Sequence, residues 1–151
     1  MGRIEKDLSR YSLVALDTPI FIYHFEKSNK YFNLTKEIFS RLDDDELDFT
    51  AVTSVITLLE ISVKPIKESR NDLLEEYSTK LLYDDKLTTF FLDETIALRA
   101  AELRAKYAIK TPDAIQIATA IIANTDAFIT NDKSLKKVEE CTVLVLDEYL
   151  S

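Results

Sequence analysis

Apolar residues follow two spacings along this chain. Continuous runs such as Leu13-Val14-Ala15-Leu16 and Ala127-Phe128-Ile129 alternate with longer stretches in which apolar residues return every three or four positions. The continuous runs predict strands buried on both faces; the spaced ones predict helices that lay one stripe on a core. Strands are expected over 12–16, 49–53, 88–92, 127–130 and 142–146. Thr18 is a suitable N-cap and Pro19 a suitable first residue for a short helix through 20–23. Phe32, Leu34, Ile38, Phe39 and Leu42 mark a helix over 31–42, which Asp43-Asp44-Asp45 break. Thr53 or Ser54 caps a helix over 55–63, and Pro65 ends or bends it. A charge-rich amphipathic helix covers 69–83. The stretch 94–107 is rich in good helix formers. The helix over 111–124 is apolar almost all round, so it is expected at the centre. The first eleven residues are polar and are expected to be peripheral. Strands alternating with helices predict an α/β fold, with a mostly parallel five-stranded sheet covered on both faces.

Composition narrows the picture. The chain has 151 residues, 46% hydrophobic and 30% charged, which suits one globular domain over 1–151. No repeat or linker divides it. The one cysteine, Cys141, rules out an intrachain disulfide and suits a reducing, cytoplasmic setting. No apolar run reaches membrane-spanning length, and the N-terminus lacks a signal-peptide core, so no membrane association is expected. Gly2 is the only glycine. A glycine-rich phosphate loop is therefore excluded, and with it most nucleotide-binding functions. The net charge of −8 argues against nonspecific nucleic-acid binding by the whole surface, though not against a local basic rim.

Four carboxylates carry the candidate chemistry. Asp17 ends the first apolar run, Asp132 follows the fourth, and Asp113 stands in the helix-start sequence Thr111-Pro112-Asp113-Ala114. In an open parallel sheet, strand C-termini and helix N-termini share one edge, where sites form. Glu60 lies in an apolar helical stretch, where a charge needs a reason. Each acid alone has an ordinary explanation: a first-turn acid for Asp113, turn or cap residues for Asp17 and Asp132, a solvent-facing side chain for Glu60. Together they are harder to explain that way. Two carboxylates ~4 Å apart repel by roughly 4 kcal/mol at an effective dielectric of 20. A divalent cation removes that cost, and oxygen donors without a His/Cys set favour Mg²⁺ or Mn²⁺ over zinc.

The segments Leu16-Asp17-Thr18-Pro19, Thr57-Leu58-Leu59-Glu60, Thr111-Pro112-Asp113-Ala114 and Thr130-Asn131-Asp132 occur in an order that resembles the PIN-domain family, and within it the VapC-type toxin ribonucleases. The resemblance covers about 13–146. It implies a three-layer sandwich around a central parallel sheet and a metal-dependent endoribonuclease. Asp17, Glu60, Asp113 and Asp132 would form the catalytic, metal-binding quartet, holding Mg²⁺ or Mn²⁺. Thr18, Thr130 and Asn131 would line and orient the pocket. RNA would be hydrolysed by metal-activated water, leaving a 5′-phosphate and a 3′-hydroxyl. A homodimer and an inhibitory antitoxin are the implied partners. The chain departs from the pattern at Pro19, where the family often has Ser or Asn, and in the length of the segment before Asp17.

Lys64, Lys67, Lys110, Lys133 and Lys136 flank the acidic segments and are candidates for an RNA-binding rim, although a solvated lysine is the simpler explanation of any one. His24, the only histidine, is expected to pack rather than act as a base, as are Tyr23, Phe25, Tyr31 and Phe32 rather than stack on nucleobases. The alternative function is a catalytically silent PIN-like scaffold that binds RNA or protein. A receiver-like phosphoacceptor would want paired acids after the first strand and a lysine after the last; neither is present. A haloacid-dehalogenase-like phosphatase would want a second Asp where Pro19 stands.

Overall fold

The computed structural model describes residues 2–150. Its sheet comprises β1 (Leu13–Leu16), β2 (Thr50–Ser54), β3 (Leu87–Phe90), β4 (Ala127–Thr130) and β5 (Val143–Val145). The order is β3-β2-β1-β4-β5, and every neighbouring pair is parallel. The chain starts in the middle strand, builds outward on one side, then crosses to the other. The topological switch therefore falls between β1 and β4, where the Asp17 amide donates to the Ile129 carbonyl at 3.0 Å.

Alternate residues of a strand point to opposite faces. Val14, Leu16, Ala127 and Ile129 enter one core; Ala15, Val52 and Phe128 enter the other. The first core is covered by α2 (Thr18–Phe25), α3 (Phe32–Asp43), α4 (Val55–Lys67) and α5 (Asn71–Tyr83). The second is covered by α6 (Glu94–Tyr107) and α7 (Thr111–Ile122). This is the expected three-layer α/β arrangement. Its long crossovers let the sheet be parallel throughout.

The structure departs from the sequence reading at several elements. Residues 1–11 read as peripheral, but helix α1 (Arg3–Leu8) buries Ile4 and Leu8 in the first core, with Leu8 fully enclosed. Only two of its positions are apolar, too few for periodicity to reveal, yet they lie four apart on one face. Tyr149 donates to Asp7 at 2.5 Å, and Arg3 donates to the Glu148 carbonyl at 2.5 Å, tying this helix to the C-terminal segment. Leu8→Ala is therefore expected to cost about 2–5 kcal/mol in urea unfolding, the range for a buried leucine; a peripheral segment would show no change.

The cap of α2 is Asp17 rather than Thr18, because the Asp17 carboxylate accepts from the Thr18 amide at 2.8 Å. Helix α4 runs on through Pro65 and ends two residues later, at Lys67, although the proline has no N–H to donate to the preceding turn. Strand β3 starts at Leu87 and stops before the apolar pair Phe91 and Leu92, which are exposed beyond this edge strand. With glycine so scarce, Lys27, Ser69, Ala108 and Asn124 take the left-handed conformation that closes helices α2, α4, α6 and α7. No helix among the described residues is long and apolar enough to cross a membrane.

Candidate metal centre

Each of the four acids is placed by a particular element. Asp17 follows β1, and its backbone turns directly into α2. Asp132 follows β4 and caps a short 3₁₀ helix, Lys133–Lys137, by accepting from the Ser134 amide at 2.9 Å and hydroxyl at 2.7 Å. Asp113 lies in the first turn of α7, and Glu60 at mid-length in α4. All four line one open pocket of about 430 Å³ with Thr18, Pro19, Ile22, Tyr23 and Asn131. The capping explanations of Asp17 and Asp132 thus hold together with a shared pocket. Glu60 is exposed at its mouth rather than buried in the helix stripe.

Asp17 is the enclosed member. It is 6% exposed, and both of its oxygens are engaged: one accepts from the Thr18 amide, the other from the Thr130 hydroxyl at 2.7 Å. Burial nevertheless pushes its carboxyl pKa up to about 6. The bonds from Thr130 and Thr18 pull the other way, and the charges of Asp113 and Glu60 add to the rise. Asp113 is raised as well, by burial first and then by Asp132 and Glu60, with Lys110 offsetting part. The Thr130 hydroxyl also accepts from the Asp132 amide at 3.2 Å, so one buried hydroxyl connects two of the acid-bearing positions. Asn131 is held at both ends: it donates to the Tyr23 hydroxyl at 3.2 Å and accepts from the Asp147 amide at 2.8 Å.

The donor set suits a hard divalent cation. It is rich in carboxylate oxygen, and burial and mutual repulsion raise the pKa of two of its acids, Asp17 and Asp113, so that a cation would favour their ionised form. Among the described residues, however, no three acidic, histidine or cysteine side chains stand close enough to form a ready-made ligand set. The quartet shares a pocket without converging on a point.

The lysines expected to form a rim are all exposed, and none lines this pocket. Lys64 pairs with Glu26 at 2.8 Å and borders a second, more apolar groove that shares Ile22 and Glu60 with the acidic one. Lys136 pairs with Glu148 at 2.6 Å. Lys110 precedes α7, Lys133 follows Asp132, and Lys67 ends α4. His24 does not line the acidic pocket; it stacks on Phe39 at 4.1 Å and Phe32 at 5.4 Å, and its burial pushes its pKa down. Phe25 stacks on Tyr77, and Tyr23 on Tyr31 while lining the pocket. Burial raises the Cys141 thiol to about 11, which leaves it unreactive.

Sequence reasoning missed the network formed by Thr53, Thr57 and Gln116, all buried and hydrogen-bonded next to the acids. The available signal was a lone amide in the otherwise apolar stretch that follows Asp113.

A family model described as the PIN domain matches residues 14–140, a span that contains all four acids. The chain belongs to the PIN domain family. Solved structures similar to this PIN domain include a toxin–antitoxin complex from Klebsiella pneumoniae, at 22% identity and TM-score 0.66, covering 88% of this chain and 97% of that one. A DNA-bound VapBC from Salmonella typhimurium is similar at 17% identity and TM-score 0.65, with coverage of 88% and 97%. VapBC2 from Rickettsia felis, bound to a promoter DNA fragment, is similar at 17% identity and TM-score 0.64, with coverage of 88% and 98%. No curated protein matches the sequence.

Proposed function

We propose that this PIN domain is a metal-dependent endoribonuclease of the VapC type, the toxin of a toxin–antitoxin pair. One observation carries the proposal: four acids from separate elements line one pocket, and burial and mutual repulsion raise the pKa of two of them. Asp17, Glu60, Asp113 and Asp132 would hold Mg²⁺ or Mn²⁺. The bound ion supplies Lewis acidity and charge neutralisation for phosphodiester hydrolysis.

The chain's own residues set the geometry. The Thr18 amide and the Thr130 hydroxyl fix the two oxygens of Asp17, the Thr18 hydroxyl fixes Glu60 at 2.7 Å, and Asn131 anchors the loop that carries Asp132. Exposed Lys110 and Lys133 lie near Asp113 and Asp132 in the chain and would take the RNA backbone beside the cut. Several of the similar solved structures are described as VapBC or toxin–antitoxin complexes, which supports an inhibitory partner for this chain; a homodimer is the proposed oligomer.

The deciding assay is cleavage of a mixed RNA pool by purified protein, free of any partner, with Mg²⁺ or Mn²⁺. Parallel reactions contain EDTA or the Asp113→Asn variant. Cleavage lost in both controls is the expected result. Equal products from the variant would overturn the assignment, and an intact pool would favour the silent scaffold.

A further inference from the structure

We infer that Gln116 is a positioning residue of this site, whose buried amide sets the direction of a hydroxyl chain that ends on Glu60. This inference rests on the proposed metal-dependent function. Gln116 is 2% exposed, and its Nε2 donates to the Thr57 hydroxyl at 2.8 Å and the Thr18 hydroxyl at 3.2 Å. Thr53 gives its one hydrogen to the Leu16 carbonyl at 2.8 Å. The 2.7 Å contact between Thr53 and Thr57 is then made by the Thr57 hydrogen. Thr18 gives its hydrogen to Glu60 Oε1 at 2.7 Å. Every hydroxyl hydrogen in the cluster is thus committed, and the hydroxyls of Thr18 and Thr57, 3.2 Å apart, both act as acceptors toward Gln116.

The polarity has a consequence for the acid. Thr18 has one hydroxyl hydrogen. Without the Gln116 donor, the Thr57 oxygen 3.2 Å away would be free to accept that hydrogen, giving it a competing destination inside the protein. A double donor there directs it to Glu60, and a hydrogen bond to a carboxylate is the stronger kind. Gln116 therefore acts on Glu60 through Thr18 without reaching the pocket, whose lining includes Thr18 and Glu60 but not Gln116. The same amide ties α7, which carries Asp113, to the start of α2 and to α4, so α7, α2 and α4 meet at one side chain.

The test uses the full chain without a partner. Mn²⁺ affinity is measured by calorimetry for wild type, Gln116→Met, Thr18→Val, Thr18→Ser and the double variant Gln116→Met/Thr18→Val. The Glu60 carboxyl-carbon resonance is recorded in the metal-free proteins at one pH. Gln116→Met and Thr18→Val are each expected to weaken Mn²⁺ binding about tenfold, as loss of a group that orients a metal ligand does. The double variant should be no weaker than Thr18→Val alone, Thr18→Ser should bind like wild type, and both single variants should move the Glu60 resonance. Unchanged affinity in Gln116→Met, or fold-losses that multiply in the double variant, would overturn the inference. If wild type itself binds no Mn²⁺, the metal-dependent function fails and the Glu60 resonance decides alone: a shift in Gln116→Met sustains the positioning role, and no shift ends it. Should Gln116→Met not fold, Gln116→Asn, which withdraws the amide by one methylene, carries the same comparison.

Discussion

Asp17→Asn is expected to lower the proposed metal-dependent RNA cleavage by on the order of 100-fold or more, and in the same protein without metal to raise the thermal midpoint at neutral pH. The two effects have one cause. Asp17 is enclosed at the end of β1 with its carboxyl pKa pushed up to about 6 by burial and by the neighbouring acids. The metal-free folded chain therefore holds this proton more tightly than the unfolded chain, whose aspartate has its ordinary value of 3.8. The folded state gains from that proton fully below the unfolded value, and the gain is lost as pH rises through about 6.

Above that point an ionised Asp17 costs up to about 3 kcal/mol, because each tenfold difference in proton affinity between the folded and unfolded chain is worth about 1.4 kcal/mol. Asparagine keeps an oxygen for the Thr18 amide and carries no charge. The variant should melt higher than wild type at pH 8, by several degrees, and the gap should close as pH falls toward 4. Saturating Mn²⁺ should reverse the order at pH 8, because the ion favours the ionised acids. Melting curves at pH 4, 6 and 8 with and without Mn²⁺ check this. A gap independent of pH would show that folding does not raise the proton affinity of Asp17.

Phe21→Ala is expected to lose about 3–5 kcal/mol of stability, the range for truncating a buried phenylalanine. Phe21 is fully enclosed on α2, with its ring edge-on to Phe39 at 5.6 Å and tilted to Phe25 at 6.1 Å. Alanine leaves a cavity between α2, α3 and the sheet. For a chain of this length the thermal midpoint should fall by roughly 6–20 °C. Phe91→Ala is the matched control. That ring is 73% exposed, and its loss should change stability by no more than about 0.5 kcal/mol. Urea unfolding of the two variants beside wild type separates them; equal destabilisation would contradict the packing of the first core.

Much of the fold was legible in the chain, for a local reason. A strand buried on both faces must be apolar at consecutive positions, so β1 and β4 announce themselves in Leu13-Val14-Ala15-Leu16 and Ala127-Phe128-Ile129. An acid within a few residues after such a run lies at the strand's C-terminal end whatever the rest of the protein does. For that reason Asp17 and Asp132 could be placed on one edge before any tertiary contact was known. Thr111-Pro112-Asp113 likewise puts Asp113 in a first helical turn by local geometry alone.

Contacts between distant segments are another matter. Leu8 looks like one apolar residue in a polar stretch until α1 lies against the first core. Lys64 and Lys136 look like free cations until Glu26 and Glu148 approach them. Gln116 meets a hydroxyl 98 residues away, a pairing that no spacing in the chain encodes. Linear order thus specified where most elements lie and which of them are buried, because those properties repeat with the local period of the backbone. The packing of α2, α4 and α7 across the sheet edge specified which element ends share a pocket and how far Asp17 is driven from its ordinary ionisation. Burial and repulsion act through space and not along the chain.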